Sequence, residues 1–134
     1  MTTTNKGTIR IDFGNNCQPI VIFKPINGEI WLHKNELPEL FGVYIQSINN
    51  AIDAIYKAGG YRPEDTSEYH LYQSGNTIQY DKYRFNLPII IALAFHLESW
   101  QAKLIREWFI CMMLKGNSLI NYPIPQDIQN FRMN

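Results

Sequence analysis

The chain has 134 residues, of which 46% are hydrophobic, and its 12 Lys and Arg balance 12 Asp and Glu. One domain's length with that much apolar material excludes wholesale disorder. Zero net charge excludes a uniformly basic nucleic-acid coat, leaves room for a local basic patch, and favours self-association.

No apolar stretch follows Met1–Lys6, so no signal peptide is expected. The longest apolar run, Leu87 to Phe95, contains Pro88 and falls far short of the roughly 20 residues of a membrane span. Cys17 and Cys111 match no zinc or redox spacing; they read as free thiols, with a single long-range disulfide as the alternative. These features predict a soluble, cytoplasmic protein.

In chain order, Thr8 to Phe13 alternates apolar and polar residues, as a half-buried strand does. Gly14-Asn15-Asn16 signals a turn, and Pro19 to Phe23 reads as a more buried strand. Asn27-Gly28 suits a type I′ turn, with Glu29 to Leu32 returning, so the opening third is expected to form a three-stranded antiparallel meander. A short helix carries Leu37, Leu40 and Phe41, with Asn35 as N-cap so that Pro38 falls in the first turn. Gly42 breaks it. A second helix runs from about Tyr44 to Ala58 with Ile45, Ile48, Ile52 and Ile55 as its apolar stripe, and Gly59-Gly60 ends it.

A polar connector, Tyr61 to Ser67, leads into a hairpin, Tyr69–Ser74 and Thr77–Phe85. Its Gly75-Asn76 loop is of the II′ kind and sets Leu71 opposite Tyr80 and Tyr69 opposite Lys82. Asn86 caps a buried helix from Leu87 to Leu97, in which His96 reads as a hydrogen-bonded core residue. Ser99 caps a last helix, Trp100 to Lys115, with Leu104, Trp108, Cys111 and Met112 on one stripe. The expected core is Trp31, Leu40, Phe41, Ile48, Ile52, Ile55, Leu87, Ile91, Leu104 and Trp108. One domain over residues 1–116 is expected, with 117–134 as an extended tail.

The predicted class is α+β: an N-terminal antiparallel β meander, a helix-turn-helix with a β-hairpin wing, and two C-terminal helices. A short helix, a Gly turn and a second helix with spaced isoleucines follow helix-turn-helix grammar. The same pattern also fits a helix pair that merely packs.

The residues resemble a family. Gly28-Glu29-Ile30-Trp31-Leu32, then Glu36-Leu37-Pro38-Glu39-Leu40-Phe41-Gly42-Val43, then Ile48 and Ile52-x-x-Ile55-Tyr56 are similar to the RhuM-type virulence-associated proteins. So are Tyr83-Arg84-Phe85-Asn86-Leu87-Pro88-Ile89-Ile90 and Arg106-Glu107-Trp108. The resemblance spans about Gly28 to Leu114 and implies a bacterial, mobile-element-associated DNA-binding regulator with no catalytic residues. Where that family's pattern has Thr, Ala, His and Arg, this chain has His33, Pro38, Ala51 and His96. Its common basic positions fall here at Asn50 and Asp53.

With the isoleucines inward, the second helix turns Tyr44, Gln46, Ser47, Asn49, Asn50 and Asp53 outward. Gln and Asn can contact adenine bidentately in the major groove, and Ser can contact more than one base. A solvated amphipathic helix would have the same composition. From Lys34 to Lys57 there are two bases and three acids; from Lys82 to Lys115 there are five bases and two acids. A DNA-facing surface would therefore combine Tyr44, Gln46, Ser47, Asn49 and Asn50 with Lys82 and Arg84 of the wing, although charges on an edge strand also serve to block aberrant pairing. Arg106 suits a structural salt bridge or cap better than a phosphate contact.

His33, His70 and His96 show no metal spacing, and neither a phosphate loop nor a nucleophile motif is present, so no cofactor, no metal and no enzymatic activity are expected. The leading expectation is a DNA-binding regulator acting on duplex DNA, as a homodimer. The alternative is a protein-interaction module on the same fold that has lost DNA binding.

Overall fold

The computed structural model describes residues 7–115. The chain is α+β, with an N-terminal antiparallel hairpin, a three-stranded sheet and helices packed between them. The expected tail over 117–134 lies outside the described residues.

Strands β1 (Thr8–Phe13) and β2 (Pro19–Lys24) pair antiparallel, Thr8 with Lys24 through Phe13 with Pro19. Their Ile9, Ile11, Val21 and Phe23 belong to or pack against the core. The expected third strand of a meander does not join them. Pro25 offers no N–H to continue the ladder. The Asn27-Gly28 turn, with both φ angles positive (54° and 78°), closes only the single bridge Ile26–Glu29. Strand β3 (Trp31–His33) instead pairs with the far strand of the later hairpin, Leu32 opposite Phe85.

Helix α1 (Leu37–Phe41) is preceded by a 3-10 turn, Lys34–Glu36. The cap is His33 rather than Asn35. Its Nδ1 accepts from the Asn35 N–H at 3.0 Å, while the Glu36 carboxylate accepts from the His33 N–H at 2.7 Å. Each side chain thus satisfies a backbone donor at the helix entry, a capping box in which an imidazole replaces the hydroxyl. Gly42 ends α1 with φ +66°, a left-handed conformation that glycine adopts without the strain a Cβ would bring.

Helix α2 (Ile45–Lys57) buries Ile48, Ala51, Ile52 and Ile55. Ile45, expected inward, is 41% exposed, because it stands at the first helical position, ahead of the packed stripe. The connector forms a single helical turn, α3 (Pro63–Thr66). Strands β4 (Ser67–Ser74) and β5 (Thr77–Asn86) then form the hairpin in the expected register, Leu71 with Tyr80 and Tyr69 with Lys82. Gly75 alone of the loop pair has positive φ (63°), as a II′ turn requires. The sheet order is β3-β5-β4, so the strand before the helix pair lies beside the second strand of the wing.

Helix α4 (Leu87–His96) is the centre of the core, with Ile89, Ile90, Leu93 and Ala94 wholly buried. His96 is exposed, in the last turn, and is not a core residue. Ser99 caps α5 (Trp100–Lys115), its Oγ accepting from the Ala102 N–H at 3.1 Å. The buried stripe of α5 is Ala102, Ile105, Trp108 and Cys111; Leu104 is only partly buried and Met112 is half exposed. Of the other expected core residues, Trp31 and Leu87 are half-buried and the rest are buried. No disulfide joins Cys17, which is exposed, to Cys111, which is buried. No helix among the described residues is long and apolar enough to cross a membrane.

Candidate functional site

The α1–α2 corner is fixed by backbone geometry. The N–H groups of Gly42 and Val43 both donate to the Pro38 carbonyl, closing α1. Tyr44, extended at φ −75° and ψ 156°, starts α2, its carbonyl accepting from Ser47 and Ile48. Its ring cannot cap the helix and stands 85% exposed. Beyond the corner, Gln46, Ser47 and Asn50 are exposed, and Asn49 is partly buried on the flank. The Gln46 amide donates to the Asn50 carbonyl oxygen at 3.2 Å, one turn on. Helical spacing continues this ridge through Asp53 and Lys57, both exposed. The outward face of α2 is therefore an amide ladder followed by one acid and one base.

The two wing cations are held by partners. The Lys82 ammonium lies 5.6 Å from the Tyr56 ring of α2 and 5.7 Å from the Tyr69 ring of β4, within cation–π range of both. Arg84 pairs with Glu68 at 3.3 Å and lies over the Tyr83 ring at 5.4 Å. The structure thus brings Lys82 beside α2, whereas Arg84 is committed within its own sheet. They take opposite faces because β5 carries a bulge. Arg84 pairs with Glu68 and Lys82 with Tyr69, leaving Tyr83 as the extra residue.

Tyr56 anchors the junction between α2 and the wing. Its hydroxyl lies 2.8 Å from the Thr66 hydroxyl, which in turn donates to the Arg62 carbonyl at 2.7 Å. Burial raises the Tyr56 phenol above its ordinary pKa, and the Thr66 hydrogen bond only partly opposes this.

Beyond the junction the wing is apolar on the face that carries Lys82. Leu71, Ile78 and Tyr80 are 65%, 69% and 63% exposed, and the Tyr80 ring meets Tyr69 edge-on at 5.2 Å. On the other face, Lys34 reaches Asp81 at 3.4 Å, and Tyr83 meets His33 and His70 edge-on at 5.8 and 5.9 Å. The expected site omitted Tyr56 and Tyr69. The signal available for Tyr69 was the hairpin register, which sets it opposite Lys82; no sequence signal pointed to Tyr56.

Among the described residues, no group of three His, Cys, Asp or Glu side chains could hold a metal ion. No protein-family model, curated protein or solved structure matches the chain.

Proposed function

We propose that the chain is a DNA-binding regulatory module of winged helix-turn-helix type. The observation that carries this reading is the first half of α2. It is presented outward by the Gly42 corner, it bears Gln46, Ser47 and Asn50 with no charge among them, and it lies on the helix whose far end meets Lys82. Neutral amides on an exposed helix suit base edges in a major groove, and flanking cations suit phosphates. Lys57 on α2 and Lys82 beside Tyr56 supply cations at the far end of that helix, and the resemblance to RhuM-type proteins agrees with this reading.

So few cations neutralise only a handful of phosphates, which gives weak binding with a shallow salt dependence. Fluorescence anisotropy of mixed-sequence duplexes at low and high salt tests it. Retention at low salt with a modest loss at high salt supports the proposal; absence of binding to any duplex at low salt rejects it.

A second reading rests on the wing. Leu71, Ile78 and Tyr80 are apolar where a phosphate-gripping wing would carry Lys or Arg. Such a patch suits a protein partner, and this reading keeps the fold while assigning α2 no DNA role. The protein is also proposed to pair with itself. Met112, Met113 and Leu114 on the last turns of α5 are 50%, 64% and 62% exposed. A monomer mass at high micromolar concentration would reject the homodimer.

A further inference from the structure

Strand β1 has one edge on β2 and one edge turned to a groove. The Gly14 N–H donates to the Gln18 carbonyl at 2.9 Å, and the register then pairs Asp12 with Ile20, Arg10 with Ile22 and Thr8 with Lys24. The alternation of an antiparallel ladder gives the N–H and C=O groups of those even-numbered residues to β2. It turns those of Ile9, Ile11 and Phe13 to the opposite side. Among the described residues no strand pairs with that side. The Phe13 N–H is taken by the Asp12 carboxylate at 2.9 Å and Ile9 is buried in the core, so the main-chain groups of Ile11 and the Phe13 carbonyl remain for a partner.

The space beside this edge is a groove of about 470 Å³ between β1, α1 and the start of α5. Its charge is one-sided. Arg10 is neutralised by Asp12 at 2.9 Å, whereas Glu36 and Glu39 stand exposed along the α1 wall. Elsewhere the rim is aromatic: Phe13 and Trp100 are 58% and 52% exposed, with ring centroids 6.4 Å apart.

We propose that this groove binds an extended, basic peptide segment by strand addition to β1. Main-chain hydrogen bonds to Ile11 and to the Phe13 carbonyl would supply the sequence-independent part of the affinity. Lys or Arg on alternate positions would face Glu36 and Glu39, and an apolar side chain would lie against Phe13 and Trp100. The acidic wall selects the sign of the partner, since like charge beside Glu36 and Glu39 would be repelled. The site is built from β1, α1 and the start of α5, not from the outward face of α2 or the wing, and does not depend on DNA binding.

The test uses the full chain and labelled peptides alternating Lys with Val, alternating Glu with Val, and a Lys–Val peptide N-methylated at every residue. Anisotropy reads affinity, and amide hydrogen exchange reads Ile11. The Lys–Val peptide should bind roughly tenfold or more tightly than the Glu–Val peptide, with the difference shrinking in high salt. It should slow exchange at Ile11, and the N-methylated peptide should not bind.

Glu39→Lys should remove the preference for the basic peptide. Glu39 is chosen over Glu36 because the Glu36 carboxylate holds the His33 N–H. A thermal melt of the variant confirms that it is folded. Equal affinity for both signs of peptide, an unchanged preference in folded Glu39→Lys, or Ile11 protection that rises with protein concentration alone would overturn the proposal. The last result would assign the edge to a second copy of the chain.

Discussion

Arg106 of α5 donates from Nη1 to the Ala94 carbonyl of α4 at 2.7 Å, and the same nitrogen reaches the Leu97 carbonyl at 2.8 Å. The last carbonyls of a helix have no intrahelical donors, and a cation there also meets the negative end of the helix dipole. Arg106 thus caps α4 from the neighbouring helix. Arg106→Met keeps the aliphatic stem and removes both bonds, and should cost about 1.5–3 kcal/mol in urea unfolding, the range for hydrogen bonds to charged groups. Arg106→Lys should lose less.

Trp108 is 8% exposed and its ring centroid is 5.0 Å from that of Phe23, joining α5 to the N-terminal hairpin. Trp108→Ala should destabilise the fold by roughly 3–5 kcal/mol, as for large core aromatics. Phe23→Leu should cost less, and the two changes should be non-additive because the rings touch.

Gly42 combines positive φ with a close neighbour, since a Cβ there would run into the Gln101 side-chain amide. Gly42→Ala should cost roughly 1–2 kcal/mol from the left-handed backbone, with little added, because the Gln101 amide is the free end of a flexible side chain and can swing aside. Removing that amide in Gly42→Ala/Gln101→Ala should therefore recover little of the loss. Equilibrium unfolding of Gly42→Ala, Gln101→Ala and the double variant measures both contributions.

The raised pKa of Tyr56 gives alkaline stability a definite sign. The folded state holds the phenol proton to higher pH than the unfolded chain, whose value is near 10.0. The Tyr56 contribution is therefore complete below that pH and is lost as pH rises through the higher folded value. Tyr56→Phe should be less stable than the parent at neutral pH, because it loses the Thr66 hydrogen bond. The gap should narrow above pH 10.0, where the parent must ionise a half-buried phenol and the variant has none. Melting temperatures across the alkaline range measure this.

For the DNA reading, two classes of variant should differ. Gln46→Ala and Asn50→Ala remove groups able to read bases, and should cost about 1–3 kcal/mol on a preferred site while sparing mixed sequence. Lys57→Ala and Lys82→Ala should weaken all duplexes alike and flatten the salt dependence. Gel-shift titrations at two salt concentrations distinguish them.

The helix pair, the hairpin register and both tight turns were legible because each rests on local rules. Gly42 needs a left-handed corner, Gly75-Asn76 fixes the Leu71–Tyr80 pairing, and Ser99 supplies a cap. The third strand was misplaced because Asn27-Gly28 specifies a turn but not how far its flanks stay paired, and Pro25 ends the ladder at once. His33 was missed as a cap because an imidazole is not among the usual capping side chains. The stripe of α5 slipped because that helix is apolar on several sides. There tertiary packing, not periodicity, chose Ile105 over Leu104.

At the candidate site, the outward set on α2 was readable from the isoleucine spacing. What held Lys82 and Arg84 was not, since their partners Tyr56 and Glu68 lie 26 and 16 residues away in sequence. Only the three-dimensional closure of α2 on β5 brings Tyr56 to Lys82.

The extra residue at Tyr83 interrupts the alternation of β5 at one point. Toward β3 the hairpin counts its faces from Arg84, and toward the tip it counts them from Lys82. Deleting Tyr83 would make Lys82 and Arg84 ordinary neighbours on opposite faces, so the distal ladder would keep its register and Leu71, Ile78 and Tyr80 would keep their face. The deletion would instead take away the local bend and added twist of the bulge, and with them the angle at which the wing leaves the sheet. Tyr83 is a hinge pin for the direction of the wing, not for its sidedness.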